Sequence, residues 1–421
     1  MMKLFAGFSV LVLAVAAAAG SESPAQTRRV SAGLAGKTTD ERIAYYSKAV
    51  TQTRDTHLTV LLAMEYLQKM RETGDGRYLK LAQENVEGAI KADGDNLEAQ
   101  RFRNEIGLQL HDFRRVAQSA ESLVARNPSD TGSWGNLGDA RMELGRYQKA
   151  AEAYHKMLSL RPNLASYNRA AYFHFVTGNA PTAIALMQDA IRAGSRTPEQ
   201  LAWCWAELGD MYFKTGSLEQ ARFSYLSALK LQPSLHRAHA GMGRWYAGQG
   251  KLEGAIESFQ RAQAIVPLPE YIAALEDLYT ETGQPKKAKD QLQLLEAASM
   301  LAADKANRVL AVIHADHDRK LPAALQLVQD EYENRDDVYT HDALAWVLCK
   351  LQRYGEAELA AQKALQFGTP EPAFYFHAGM IAAALHKSEE ARKHLTKALA
   401  SKGALDRRQS VLAAGTLAAL R

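Results

Sequence analysis

WGNLGDARMELGRYQKAAEAYHKMLSLRP, residues 134–162, decides the fold. Gly138, Gly145 and Ala150 supply small side chains, and Trp134, Leu137, Tyr147 and Tyr154 supply large ones. Pro162 closes the run. Small residues let two helices approach closely, and a glycine between them permits a left-handed backbone that ends the first helix. The stretch therefore predicts one helical hairpin.

The pattern recurs. Taking the small residue of each second helix as an anchor gives Ala82, Val116, Ala150, Ala183, Ala221, Ala255, Ala288, Ala324, Ala357 and Ala391. Their spacings are 34, 34, 33, 38, 34, 33, 36, 33 and 34. Four residues on come Val86, Ala120, Tyr154, Met187, Tyr225, Phe259, Leu292, Val328, Ala361 and Leu395, and the position seven on is also small or apolar, with Glu331 the exception. Steps of four and seven keep these side chains on one helical face. Gly145, Gly178, Gly216, Gly250 and Gly283 stand five residues before their anchors, and Pro128, Pro162, Pro233 and Pro267 twelve after theirs, where proline stops the second helix. Trp134, Leu137 and Gly138 return as Trp205, Leu208 and Gly209, and in weaker form as His239, Met242 and Gly243.

This signature resembles the tetratricopeptide repeat, most closely in the unit holding Trp205, Leu208, Gly209, Tyr212, Ala221, Tyr225 and Pro233. The resemblance implies an all-α fold: a right-handed superhelical solenoid of about ten stacked antiparallel helix pairs over residues 40–400. ERIAYYSKAV reads as a lone second helix before the first full pair, and LDRRQSVLAAGTLAAL as a capping helix within 401–421. The longer spacings are assigned to the loops RETGDGRY, RAGSRTPEQ and GTPEP.

The ends and the bulk composition bound the function. Lys3 and the apolar LFAGFSVLVLAVAAAA, with Ala17 and Ala19 before Gly20, predict a signal peptide over 1–19 and export to the periplasm or medium; an uncleaved anchor is the alternative. Residues 20–39 read as a flexible linker. With 421 residues, a net charge of +4 and scattered basic residues, no footprint for nucleic acid stands out, and membrane contact is expected only through an uncleaved N-terminal segment. Cys204 and Cys349 are four repeats apart, which predicts two free thiols.

Chemistry-bearing motifs are few. There is no phosphate-cradling glycine loop, no GxSxG and no CxxC. HADHD, residues 314–318, pairs His314 with His317 but reads as a solvated turn, and in LHRAH His239 takes the packing position of Trp134. No cofactor or metal site is expected. The family resemblance implies instead that first helices line a concave groove. On that basis Asn136, Asn168, Arg169, Tyr172, Phe175, Trp203, Phe213, Arg237 and Arg244 are the candidate partner-binding residues, with interhelix packing the competing reading of the aromatics. The arginines suit another protein's extended or helical segment carrying acidic groups. Some family members clamp a C-terminal carboxylate; Asn136 matches one clamp position, but Arg101 and Glu105 depart from the others, and Glu105 would repel such a ligand. The expected function is a non-catalytic scaffold in envelope or secretion complexes. The alternative is a carbohydrate-active enzyme with Asp139 and Asp210 as its carboxylates.

Overall fold

The computed structural model describes residue 34 and residues 36–195, 197–301, 307–401 and 403–420. Residues 1–19, read above as a signal peptide, and most of the 20–39 stretch lie outside them. Every regular element described is a helix. A lone α1 (Thr39–Thr53) precedes ten sequential antiparallel pairs. These are α2 (Thr56–Thr73) with α3 (Gly76–Ala92), α4 (Leu97–Gln109) with α5 (Phe113–Arg126), α6 (Thr131–Glu143) with α7 (Tyr147–Leu160), and α8 (Leu164–Val176) with α9 (Ala180–Ala193). Next come α10 (Pro198–Lys214) with α11 (Leu218–Leu231), α12 (His236–Gly248) with α13 (Leu252–Ile265), and α14 (Pro269–Glu281) with α15 (Pro285–Leu301). The last pairs are α16 (Arg308–Asp316) with α17 (Leu321–Asn334), α18 (Val338–Lys350) with α19 (Tyr354–Ala364), and α20 (Pro372–Ala384) with α21 (Ser388–Ala400); α22 (Arg407–Ala419) follows.

The chain forms two compact units. One holds the described residues through Arg141 together with Gln148–Arg161; the other holds Met142–Tyr147 and the described residues from Pro162 onward.

The anchors do the packing their spacing predicts. Nine of the ten are fully buried at 0 %, Ala221 and Ala255 among them, and Ala288 is 9 % exposed. The large residue four positions on then fills the gap at the neighbouring first helix. Tyr154 lies against Gly138, Phe259 against Gly243, and Tyr225 against both Gly209 and Gly241, where an added Cβ would collide with each ring. Replacing those glycines would overpack the crossing.

The turn between paired helices has one backbone form, which glycine does not monopolise. Gly145, Gly178, Gly216, Gly250 and Gly283 all have positive φ. His111, Gln352 and His386 adopt φ of 59°, 62° and 59° at the same place, five residues before Val116, Ala357 and Ala391. Non-glycine residues tolerate this region at some cost, so a search for glycine alone misses three turns of the same kind. The spacing differences are absorbed partly in helix rather than loop. α2 runs on through Thr73, so most of RETGDGRY is helical, and only Gly74 and Asp75 separate α2 from α3.

Within the second unit, turns of early pairs meet loops that follow late pairs. The Asp336 N–H donates to the Glu143 carbonyl at 2.9 Å, and the Val338 N–H donates to the Tyr147 hydroxyl at 2.9 Å. The Thr369 hydroxyl donates to the Val176 carbonyl at 2.6 Å, and the Tyr147 and Phe367 rings meet edge to face at 4.7 Å. Glu331, the exception in the apolar pattern, is 1 % exposed and pairs with Arg335 at 2.6 Å, which reaches Glu143 at 2.5 Å. The charge at this anchor-face position is thus matched within its own repeat by Arg335, which also reaches Glu143 of an earlier repeat, as buried ions must be paired. Arg407, the first residue of α22, pairs with Glu281 at 2.6 Å. Ala413 of α22 is buried and joins the apolar cluster of α18 and α20.

Gly178 tests this closure. Its φ is +85°, and an added Cβ would meet the Phe367 carbonyl oxygen. Gly178→Ala is expected to destabilise by about 1–3 kcal/mol. Gly88→Ala, in an open position of α3 with nothing within 4 Å, should instead be neutral or stabilising by up to about 1 kcal/mol. Urea unfolding of both variants checks the contrast; equal effects would remove the early-turn to late-loop contact from the stability of the fold.

Candidate functional site

The second unit holds a cavity of about 140 Å³ lined by residues of five first helices. α8 contributes Asn168, Tyr172 and Phe175 and α10 contributes Trp203, Glu207, Asp210, Met211 and Lys214, both sets at steps that share one helical face. α12 adds Arg237, α16 adds Arg308 at its first residue, and α18 adds Tyr339.

Asp210 is the electrostatic centre. It follows the Leu-Gly of the repeat, and Tyr225, fifteen residues on, donates its hydroxyl to Oδ1 at 2.7 Å. Arg244 Nη2 donates to the same oxygen at 2.7 Å, and Arg237 donates to Oδ2 through Nε at 3.1 Å and Nη2 at 2.7 Å. Burial opposes its charge, but Arg244 and Arg237, with Lys214 and the Tyr225 hydroxyl, outweigh it and hold the carboxyl well below its usual range. Arg237 also reaches Glu207 at 2.8 Å and lies 4.7 Å over the Trp203 ring. At Glu207 the balance reverses: burial dominates and raises its carboxyl despite Arg237.

The opposite side is built the same way. Asp337 caps α18 by accepting the Thr340 N–H at 2.7 Å, and it binds Arg308 Nη1 at 2.7 and 2.6 Å. Arg308 lies 5.4 Å from the centre of the Tyr339 ring, and Lys214 pairs with Glu371 at 2.5 Å while standing 5.8 Å from that of Phe175. Each cation of the lining therefore already has a carboxylate within the chain.

The residues predicted for a partner groove divide accordingly. Asn168, Tyr172, Phe175, Trp203 and Arg237 come together in the cavity, and Arg244 joins them through Asp210. Asn168 and Phe175 are buried, as are Arg169 at 1 % and Phe213. Asn136 is buried in the first unit, where its side-chain amide donates to the Arg101 carbonyl at 3.0 Å. Tyr172, Trp203, Arg237 and Arg244 are only partly buried. Sequence reading placed Arg237 and Arg244 in the groove but missed the carboxylate that holds them. The signal was available: Leu-Gly-Asp followed by Tyr fifteen residues later occurs twice, and Tyr154 donates to Asp139 at 2.9 Å as Tyr225 does to Asp210. Asp139 and Asp210, read as an alternative pair of catalytic carboxylates, are thus repeat-equivalent acceptors for a packed tyrosine. Arg308 and Tyr339 had no signal, because they arrive from repeats more than ninety positions after α8 and α10.

Two histidine readings resolve differently. His239 does stand where Trp134 stands: the His239 ring Nε2 lies 2.8 Å from the Pro233 carbonyl, and the Trp134 indole donates to the Pro128 carbonyl at 2.9 Å. HADHD is not a solvated turn. α16 extends through Asp316, His314 is buried, and the turn begins only at His317, whose Nε2 lies 2.9 Å from Asp277. Cys204 and Cys349 are free and buried, and burial raises both thiols above their usual range.

Family models for the tetratricopeptide repeat match residues 132–164 and 206–268. Over these segments the chain carries the tetratricopeptide repeat. No curated protein sequence matches it. Among solved structures, a crystal structure of MamA protein is 21% identical, with 41% of this chain and 92% of that chain covered at a TM-score of 0.32. A second MamA structure is 22% identical over 38% of this chain and 92% of that one, also at 0.32. The matched repeats contain Asp139 and Tyr154 in the first segment and Asp210, Tyr225, Arg237 and Arg244 in the second.

Asp210 gives a pH test. Its folded pKa is depressed, so its stabilisation is complete above about pH 5 and declines as pH falls through the usual carboxylate range and below. Asp210→Asn leaves two partly buried arginines short of a counter-charge, with Glu207 still beside Arg237, and is expected to cost about 1–3 kcal/mol at pH 7. Urea titrations over pH should show the gap to wild type shrinking below about pH 4. A gap that stays constant into acid would mean that Asp210 acts by shape and not by charge.

Proposed function

We propose that this chain is a non-catalytic scaffold that holds an extended or helical segment of another protein, in an exported setting, periplasmic or secreted. The observation that carries the reading is the repeat itself: the described residues are spent on stacked helix pairs, so binding surface is what the architecture offers. Tetratricopeptide repeats generally bind proteins. Export rests on the N-terminal apolar run alone, and a role in envelope or secretion complex assembly is an analogy from that setting. No described helix is long and apolar enough to cross a membrane.

Tyr172, Trp203, Arg237 and Arg244 are the residues that combine partial exposure with the aromatic and guanidinium character of binding hot spots. An acidic partner would share Arg244 with Asp210 and meet the edge of Trp203. Its charge would have to match what Asp210 and Glu207 already supply, so geometry and apolar contact carry more of the selectivity than net charge does.

Affinity capture from envelope extract with mass spectrometry identifies the partner, and paired variants then locate its contact. Trp203→Ala with Arg244→Ala is expected to weaken recovery of that partner by about tenfold or more, with helical circular dichroism unchanged. Unchanged recovery would move the contact elsewhere, and lost helicity would assign the two side chains to the core.

A further inference from the structure

The cavity carries hydrogen-bonding capacity that the chain does not use, and nearly all of it is donor capacity. Asn168 is 2 % exposed, and its Nδ2 has no partner. The hydroxyls of Tyr172 and Tyr339 and the indole N–H of Trp203 have no hydrogen-bond partner among the described residues. Arg308 makes its bonds to Asp337 and Thr340 through Nη1, leaving the N–H groups of Nε and Nη2 unspent. Burial raises both tyrosines, Tyr172 far above its usual value and Tyr339 to about 12, so both hydroxyls keep their protons at neutral pH.

The aromatic walls argue against a cation. Arg237 covers Trp203, Lys214 approaches Phe175 and Arg308 approaches Tyr339, so three of the four rings already serve the chain's own cations. Lys214, Arg237 and Arg308 each have a carboxylate, Glu371 and Asp337 among them, so no bare cation stands in the lining. What remains unmet is a set of donors, the Nε and Nη2 of Arg308 included, in an aromatic-walled space. A cavity near 150 Å³ accommodates a benzene-sized body.

We propose that this cavity is a binding site for a small organic carboxylate with a flat apolar body, the carboxylate meeting the Asn168 amide, the Tyr172 and Tyr339 hydroxyls and Arg308. The site is assembled only because α16 and α18 come back to face α8 and α10, so it belongs to the closed second unit and not to a single repeat. It shares Tyr172, Trp203 and Arg237 with the partner contact proposed above, but benzoate binding is measured on the chain alone and can hold or fail without that partner.

Calorimetry on the full chain with benzoate tests it, with Trp fluorescence as a second readout. Benzoate is expected to saturate a single site, while benzyl alcohol and benzylamine, which keep the ring and lose the charge or reverse it, do not. Tyr339→Phe and Tyr172→Phe each remove a hydroxyl that has no partner in the chain, so each should leave the melting temperature unchanged. Each should weaken benzoate by roughly tenfold. Two variants guard against one failing to fold. The proposal is overturned if benzoate shows no saturable binding, which would leave the cavity to water. Equal binding of benzyl alcohol, or unchanged benzoate affinity in both folded variants, would overturn it as well.

Discussion

Tyr225 joins the packing of this protein to its electrostatics. Its ring occupies the space that Gly209 and Gly241 leave on two successive first helices, and its hydroxyl reaches Asp210. Asp210 then gathers Arg237 and Arg244, and Arg237 in turn covers Trp203. One side chain therefore fixes a helix crossing, the position of a buried carboxylate and the orientation of two guanidinium groups. Tyr154 with Gly138 and Asp139 repeats the same packing of ring, glycine and carboxylate.

The second feature that shapes the site is closure. Glycine turns at Gly145 and Gly178 leave room for the backbone of Asp336 and Phe367, and the Glu331–Arg335–Glu143 chain of charges stands beside the first of them. Burial raises Glu143 even with Arg335 against it, so this group is costly to keep ionised in isolation and depends on its pairing. Closure converts what would be an open face of α8 and α10 into a lined cavity, which is why Phe175 and Asn168 are buried.

Much of the fold was legible in the sequence because it is periodic. The anchor alanines, the turn glycines and the stopping prolines each recur at a fixed offset, and the helices of the structure begin and end around them. The three turns at His111, Gln352 and His386 were hidden because the left-handed backbone is set by the hairpin, and glycine is only its cheapest occupant. The site was half legible. Tyr172, Trp203 and Arg237 follow from repeat position, whereas Arg308 and Tyr339 do not, since nothing within one repeat encodes which later loop returns to it. The pairing of Arg237 and Arg244 with Asp210 also escaped a reading that asked what each residue might offer a partner before asking what its neighbour already took.

The most direct test of the link between packing and charge is a double-mutant cycle between Gly241→Ala, which displaces the Tyr225 ring, and Asp210→Asn, which removes the carboxylate. If Tyr225 transmits one to the other, unfolding free energies will show a coupling above about 0.5 kcal/mol, because a ring already displaced has less to lose at Asp210. Additive effects within error would mean that the helix crossing and the charged cluster are stabilised separately, and the connection drawn through Tyr225 would not hold.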